Sequence, residues 1–296
     1  MAIQRAPLPK GGEAVMEEIA SRRMRRETYR IHEVRRDAVA TLEKDIERAI
    51  KRATRGRWDM EAHQAAQPEI RRAIRAFERS LNQHALRTAN VAATNAIKDY
   101  RTAFSSLGEL ALKRPVRAPK IDAERVLKAI GPRLRARTEH VGAWSAREVQ
   151  RLASARSLLE GRKVGRDRKP AKELARAMAK EIAARASNMS ARVIATEMTA
   201  AAAAAAAETS RLLAPFMPMK QRWDATIDAR TCVHCRNLDG VVTELGDLFP
   251  GGFREPPAHP FCRCTLTPMP ASWARAAAAA PMVPVGADLA RAAGAL

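Results

Sequence analysis

A chain of 296 residues carrying a formal charge of +21, with an isoelectric point near 11.0, has room for one large domain or two small ones and suits a polyanionic partner, nucleic acid first. Hydrophobic residues make up 46% of it but aromatics only 4%; much of the apolar content is alanine, which favours helix and buries little area. No apolar run reaches the roughly 20 residues that cross a bilayer, so no membrane partner is expected, and the opening Met1-Ala-Ile-Gln-Arg-Ala-Pro lacks a signal-peptide core, which implies synthesis in the cytoplasm.

Residues 1–12 contain Pro and Gly and read as an extended leader. An N-terminal helical region follows over 13–118. Its first stretch, from Glu13 to about Arg55, carries Ile31, Val34, Ala38, Leu42, Ile46 and Ile50 at three- and four-residue spacing, one narrow apolar stripe that Gly56 ends. A second stretch, from Pro68 to Lys113, shows a core face of Ile70, Ile74, Phe77, Leu81 and Ala85, continued less regularly by Val91, Ala93 and Ile97; Pro115 and Pro119 terminate it.

A second helical region spans 119–214. It holds a helix from Asp122 to Glu160, expected to be interrupted at Gly131-Pro132, and another from Ala171 to Leu213. A basic loop, Gly161 to Pro170, joins them. The alanine run Ala200–Ala207 predicts a flat face for close helix packing. From Pro215 the texture changes. Lys220–Thr226, Gly240–Thr243 and Cys264–Pro268 read as short strands, with a turn at Asn237–Gly240, so 215–270 forms a small β-containing module. An Ala/Pro/Val-rich tail occupies 271–296. The expected fold class is mainly α: an elongated helical arm or bundle followed by a small α+β Cys/His module.

All four cysteines fall in that module, as Cys232-Val-His-Cys235 and His259-Pro-Phe-Cys262-Arg-Cys264. Thiolate and imidazole at such spacing suit one structural zinc, which takes four tetrahedral ligands. Cys232, Cys235, His259, Cys262 and Cys264 are five candidates for those four positions. Two ligand sets stay open: all four sulfurs, with His259 outside, or Cys232, Cys235, His259 and Cys262, with Cys264 buried. Packed reduced thiols and disulfides are the two non-metal readings; cytosolic synthesis favours metal over disulfide. His234 reads as a loop histidine, because a Cys-x-His-Cys arrangement crowds one ion. A Cys262–His259 nucleophile couple lacks an orienting acid and an oxyanion hole. Asp224, Asp228 and Asp239 have no metal-ligand spacing and read as turn residues and strand ends. No enzyme activity is expected; a zinc-dependent nuclease using His259 as base is the catalytic alternative, and a general basic nucleic-acid-binding protein is the other.

Trp223-Asp-Ala-Thr-Ile-Asp-Ala-Arg-Thr-Cys232-Val-His-Cys235-Arg-Asn-Leu-Asp-Gly240, followed by Pro256-Pro-Ala-His259-Pro-Phe-Cys262-Arg-Cys264-Thr-Leu-Thr-Pro268, resembles the minor head morphogenesis proteins of tailed bacteriophages, the phage Mu protein F family. The resemblance covers roughly 145–270. The family's helix before the module commonly ends in an Ile-Ala-Arg-Thr-Glu-like signature; here Ile194-Ala195-Thr196-Glu197 lacks the arginine. The resemblance implies a virion protein in the head interior, associated with the portal protein and with major capsid protein or scaffold, aiding assembly and DNA packaging or delivery. That agrees with the charge, which suits double-stranded DNA bound without sequence readout. Few aromatics argue against a base-stacking single-strand binder. Arg22, Arg23, Arg25, Arg26, Arg35 and Arg36 form the densest candidate patch for DNA, with Arg162, Lys163, Arg166, Arg168 and Lys169 next. The plainer reading of each is a solvated charge, partly neutralised by acids one helical turn away.

Overall fold

In the computed structural model the described residues are 8, 10–54, 58–163 and 170–272. Most of the leader, the break expected at Gly56, the centre of the basic loop and the tail beyond 272 lie outside them.

The first stripe folds as expected. Helix α1 (Gly12–Val34) passes through a π-helical segment (Arg35–Val39) into α2 (Ala40–Ala53). Val34, Ala38, Leu42, Ile46 and Ile50 are each no more than 2% exposed, and Ile31 packs against them.

Helix α3 (Met60–Leu112) starts eight residues earlier than Pro68. The Asp59 carboxylate caps it by accepting from the Ala62 N–H at 2.9 Å, and the buried Trp58 donates its indole N–H to the Ser157 carbonyl at 3.0 Å. This anchor holds the first turns, which carry the buried Ala62 and Ala66, so Pro68 lies inside the helix. The expected core face is buried as read from Ile70 to Ala85, and Ala93 and Ile97 extend it; Val91 instead lies exposed.

Helix α4 (Ala123–Gly161) runs unbroken through Gly131-Pro132, which corrects the expected interruption. Val126, Ile130, Leu134, Thr138 and Gly142, four residues apart, are all buried on one face. Burial on both sides of the proline offsets a local cost of about 3 kcal/mol.

Helix α5 (Ala171–Leu213) is the spine. On one side Val193, Ile194, Met198, Ala201, Ala204 and Ala205 join the main core, which collects residues from every helix from α1 to α5. On the other, Ala203, Ala206 and Ala207 join Trp223, Leu238, Phe249 and three cysteines in the core of the C-terminal module. A run of alanines thus lets a single helix approach neighbours on two sides.

The module holds a three-stranded antiparallel sheet in the order β2-β1-β3, built from β1 (Met219–Asp224), β2 (Val242–Glu244) and β3 (Thr265–Pro270). Trp223 pairs with Leu266, and Arg222 with Val242. All three strands sit within two residues of their expected places. A short helix α6 (Val233–Leu238), not expected, precedes the turn at Gly240. The sheet also closes a small core in which Ile19 of α1, Tyr100, Phe104 and Leu107 of α3 and Leu213 of α5 meet Met219, Val242 and Met269.

Candidate metal centre

Two loops and the entry to β3 bring the five Cys and His candidates together. Cys232 stands at the N-terminus of α6, and its sulfur accepts from the Cys235 N–H at 3.4 Å. One turn of helix therefore points both sulfurs to the same place. His259 enters from the long connection between β2 and β3. Its Nε2 lies 3.1 Å from Cys232 Sγ and 3.2 Å from Cys235 Sγ. Cys235 Sγ lies 3.9 Å from Cys262 Sγ. Ligand atoms of Cys232, Cys235 and His259 lie within 4.8 Å of one another, and so do those of Cys235, Cys262 and Cys264.

The thiolates and imidazole of these two groups, which share Cys235, are the donor types that zinc prefers. Two sulfurs each about 2.3 Å from zinc at the tetrahedral angle are about 3.8 Å apart, close to the Cys235–Cys262 separation. The tautomer of His259 fits as well. Its Nδ1 is 2.8 Å from the Pro260 carbonyl, which can only accept, so Nδ1 carries the proton and Nε2 keeps a lone pair facing the sulfurs. Bound there, the ion would cross-link α6 to the His259–Cys264 turn. None of the four cysteines is bridged. Cys235, Cys262 and Cys264 are buried, whereas His234 is exposed and outside both groups.

The thiols are unequal. The Cys264 thiol, hydrogen-bonded to Cys262, pulls the latter down to about 5, with help from backbone N–H groups and His259, while Cys264 itself is pushed up. Burial and the neighbouring Cys262 push Cys235 up to about 12.

Three residues hold the turn that carries Cys262 and Cys264, and sequence reading did not single them out for this. Thr199 of α5 donates to the Cys262 carbonyl at 2.7 Å. Thr196 Oγ1 accepts from the Phe261 N–H at 3.1 Å, fixing that residue at a left-handed φ of 63°. Arg23 of α1 reaches the Cys264 carbonyl at 3.2 Å. Only the Thr196-Glu197 signature hinted at the part α5 plays. Glu197 itself is buried and accepts from Arg137 Nε at 2.9 Å. Arg263, between the last two cysteines, forks onto Asp228 with two contacts of 2.6 Å. Asp228 also accepts from the Arg230 N–H and the Thr231 hydroxyl, so it is a turn residue, as read, and these donors hold its carboxyl well below the usual range.

Residues 169–267 match the family model described as Phage Mu protein F like protein. The Mu F-like span opens at the start of α5 and runs through the whole metal centre into β3, so the helix and the module are matched as one unit. It is the family that the Cys/His motif resembles. No curated protein and no solved structure matches the chain.

The arginines nominated for DNA do not share one fate. Arg23 turns inward to Thr199 and Cys264. Arg26 pairs with Asp99 at 2.9 Å, Arg22 with Glu18 and Arg36 with Asp37. Arg25 and Arg35 are exposed without an ion pair among the described residues, Arg162 is exposed, and Lys163 contacts Glu160 at 3.0 Å. Arg166, Arg168 and Lys169 lie outside the described residues.

Proposed function

We propose that this protein is a bacteriophage minor head protein that acts inside the head at or near the portal, contacts portal or capsid protein through its helical body, and meets packaged double-stranded DNA through its basic faces. The observation that carries this reading is the Mu F-like match over α5 and the Cys/His module, which pack as one unit. The charge of +21 supports the DNA contact. In this reading the module is structural and turns nothing over. One zinc, held by Cys232, Cys235, His259 and Cys262, stiffens it, and Cys264 remains a buried thiol beside Cys262. The Cys262–Cys264 turn serves as a support: its backbone is the part that α1 and α5 grip.

Mass spectrometry of purified phage heads, with chemical cross-linking before digestion, tests the placement. The expected result is the chain in DNA-filled heads with cross-links to the portal protein. Heads that lack the chain, or cross-links confined to the outer capsid surface, would overturn it.

A further inference from the structure

Folding regroups the basic residues. An open furrow of about 420 Å³ lies between α1 and α3, lined by Arg22, Arg25 and Arg26 from the first helix and Lys98, Asp99 and Thr102 from the second. Through Lys98 and Thr102 it continues into a hollow of about 440 Å³ that adds Arg101, Ser105, Ser106 and Arg117. Among the described residues Asp99 is the one acid lining it, and Arg26 neutralises that carboxylate. Arg25, Lys98, Arg101 and Arg117 are all exposed and have no ion pair among the described residues. Three segments distant in sequence therefore leave four uncompensated cations around one trough.

We propose that this furrow is the surface that takes the phosphates of duplex DNA. The inference rests on the reading that the protein touches DNA, and it adds Lys98, Arg101 and Arg117, which sequence spacing does not group with the α1 arginines. The hydroxyls suit the same ligand. Ser105 Oγ accepts from the Ala118 N–H at 3.1 Å, which leaves its own proton to donate, and side-chain hydroxyls are common partners of phosphate oxygens. From Lys98 to Ser105 the helix axis advances about 10 Å, comparable to the axial rise of three base pairs of duplex at about 3.4 Å each. Among the described residues no aromatic side chain lines either hollow, so the trough offers cations and hydroxyls to a backbone and no platform to an unstacked base.

The test compares two charge reversals of equal size in the full-length chain. One variant carries Lys98→Glu, Arg101→Glu and Arg117→Glu. The other carries Arg71→Glu, Arg75→Glu and Arg79→Glu, exposed positions further up α3 that do not line the furrow. Fluorescence anisotropy of a labelled mixed-sequence duplex is read over a salt series, with circular dichroism confirming that each variant is folded. The furrow variant is expected to bind at least about 10-fold more weakly and to flatten the log–log salt dependence by about 2–3, at about 0.9 for each phosphate that is no longer neutralised. The α3 control should stay within about 3-fold of wild type, since it removes general attraction only. Equal losses in both variants, or none in either, would overturn the furrow and leave DNA contact standing. Wild-type protein that ignores duplex at low salt would overturn DNA contact and the furrow with it. If a poly-glutamate peptide displaces the duplex as well as a phosphate polymer of equal charge does, the furrow is a protein-docking surface instead.

Discussion

Arg23, on the first helix, donates to the carbonyl of Cys264, 241 positions further along the chain. The same guanidinium reaches Thr199 Oγ1 at 2.5 Å, and Thr199 passes its own proton to the Cys262 carbonyl at 2.7 Å. A ring of hydrogen bonds thereby joins α1, α5 and the Cys262–Cys264 turn. It fixes the backbone that carries two sulfurs without using either sulfur.

Removing that clamp should cost stability, not charge-driven binding. Arg23→Ala is expected to destabilise the protein by about 1–2 kcal/mol, because a charged donor leaves two acceptors without it. Arg25→Ala, exposed and unpaired among the described residues, should stay within about 0.5 kcal/mol of wild type. Urea unfolding of the two variants side by side decides the matter: similar midpoints would deny Arg23 its place in the ring.

Elemental analysis of protein purified without chelator should find about one zinc per chain. Cys232→Ser, Cys235→Ser, Cys262→Ser and His259→Ala should each lose most of it, whereas Cys264→Ser should retain it. Chelation should also shift the emission of Trp223 to the red, since this fully buried ring shares its core with Cys235, Cys262 and Cys264. A metal lost on changing Cys264 but kept on changing His259 would exchange the two in the ligand set.

Glu197 makes the pH dependence of folding run against the usual carboxylate direction. Burial holds its carboxyl above the ordinary glutamate range, and Arg137 offsets that only in part. The folded state therefore keeps a proton that the unfolded chain has already lost. Its contribution is full below the ordinary glutamate pKa and is lost as pH rises through the higher folded value. Relative to Glu197→Gln, wild type should lose stability as pH rises from about 4.3, the ordinary glutamate value, through the higher folded one. Parallel urea midpoints across that range would sink the assignment.

Gly142 of α4 packs directly against the Asn82 side chain of α3. A Cβ there would fall 1.5 Å from Asn82 Oδ1 and 2.6 Å from its Cγ. Gly142→Ala should destabilise by about 1–3 kcal/mol despite the better helix propensity of alanine. Adding Asn82→Ala should recover most of the loss, because the clash is with that side chain alone among the nearest atoms. A double-mutant cycle by thermal melting would read the coupling; strictly additive losses would place the strain elsewhere.

The helical stripes were legible because they are local. Residues such as Leu42, Ile46 and Leu81 declare their face by spacing, and all three are buried. The prolines misled for the same reason. A rule about one missing N–H sees the local cost of Pro132 but not Ile130 and Leu134 packed on either side of it. The sulfurs and His259 could be read from their motif. Their supports could not: Thr199 looks like any helical threonine, and its acceptor is 63 positions away. The total of positive charge was plain in the composition, but its distribution was not. That Arg26 meets Asp99, 73 positions on, is a fact of folding alone.

The alanines of α5 are committed on two sides at once, Ala201, Ala204 and Ala205 to the helical core and Ala203, Ala206 and Ala207 to the module. It follows that the heritable unit is longer than the cysteine motif. A genetic crossover near Pro215 would hand a foreign helix the task of covering Trp223 and would leave the module with a mismatched floor. One upstream of Ala171 would carry helix and module together, and that is where the Mu F-like match begins. Exchange of this module between genes should therefore leave its seams at the foot of α5.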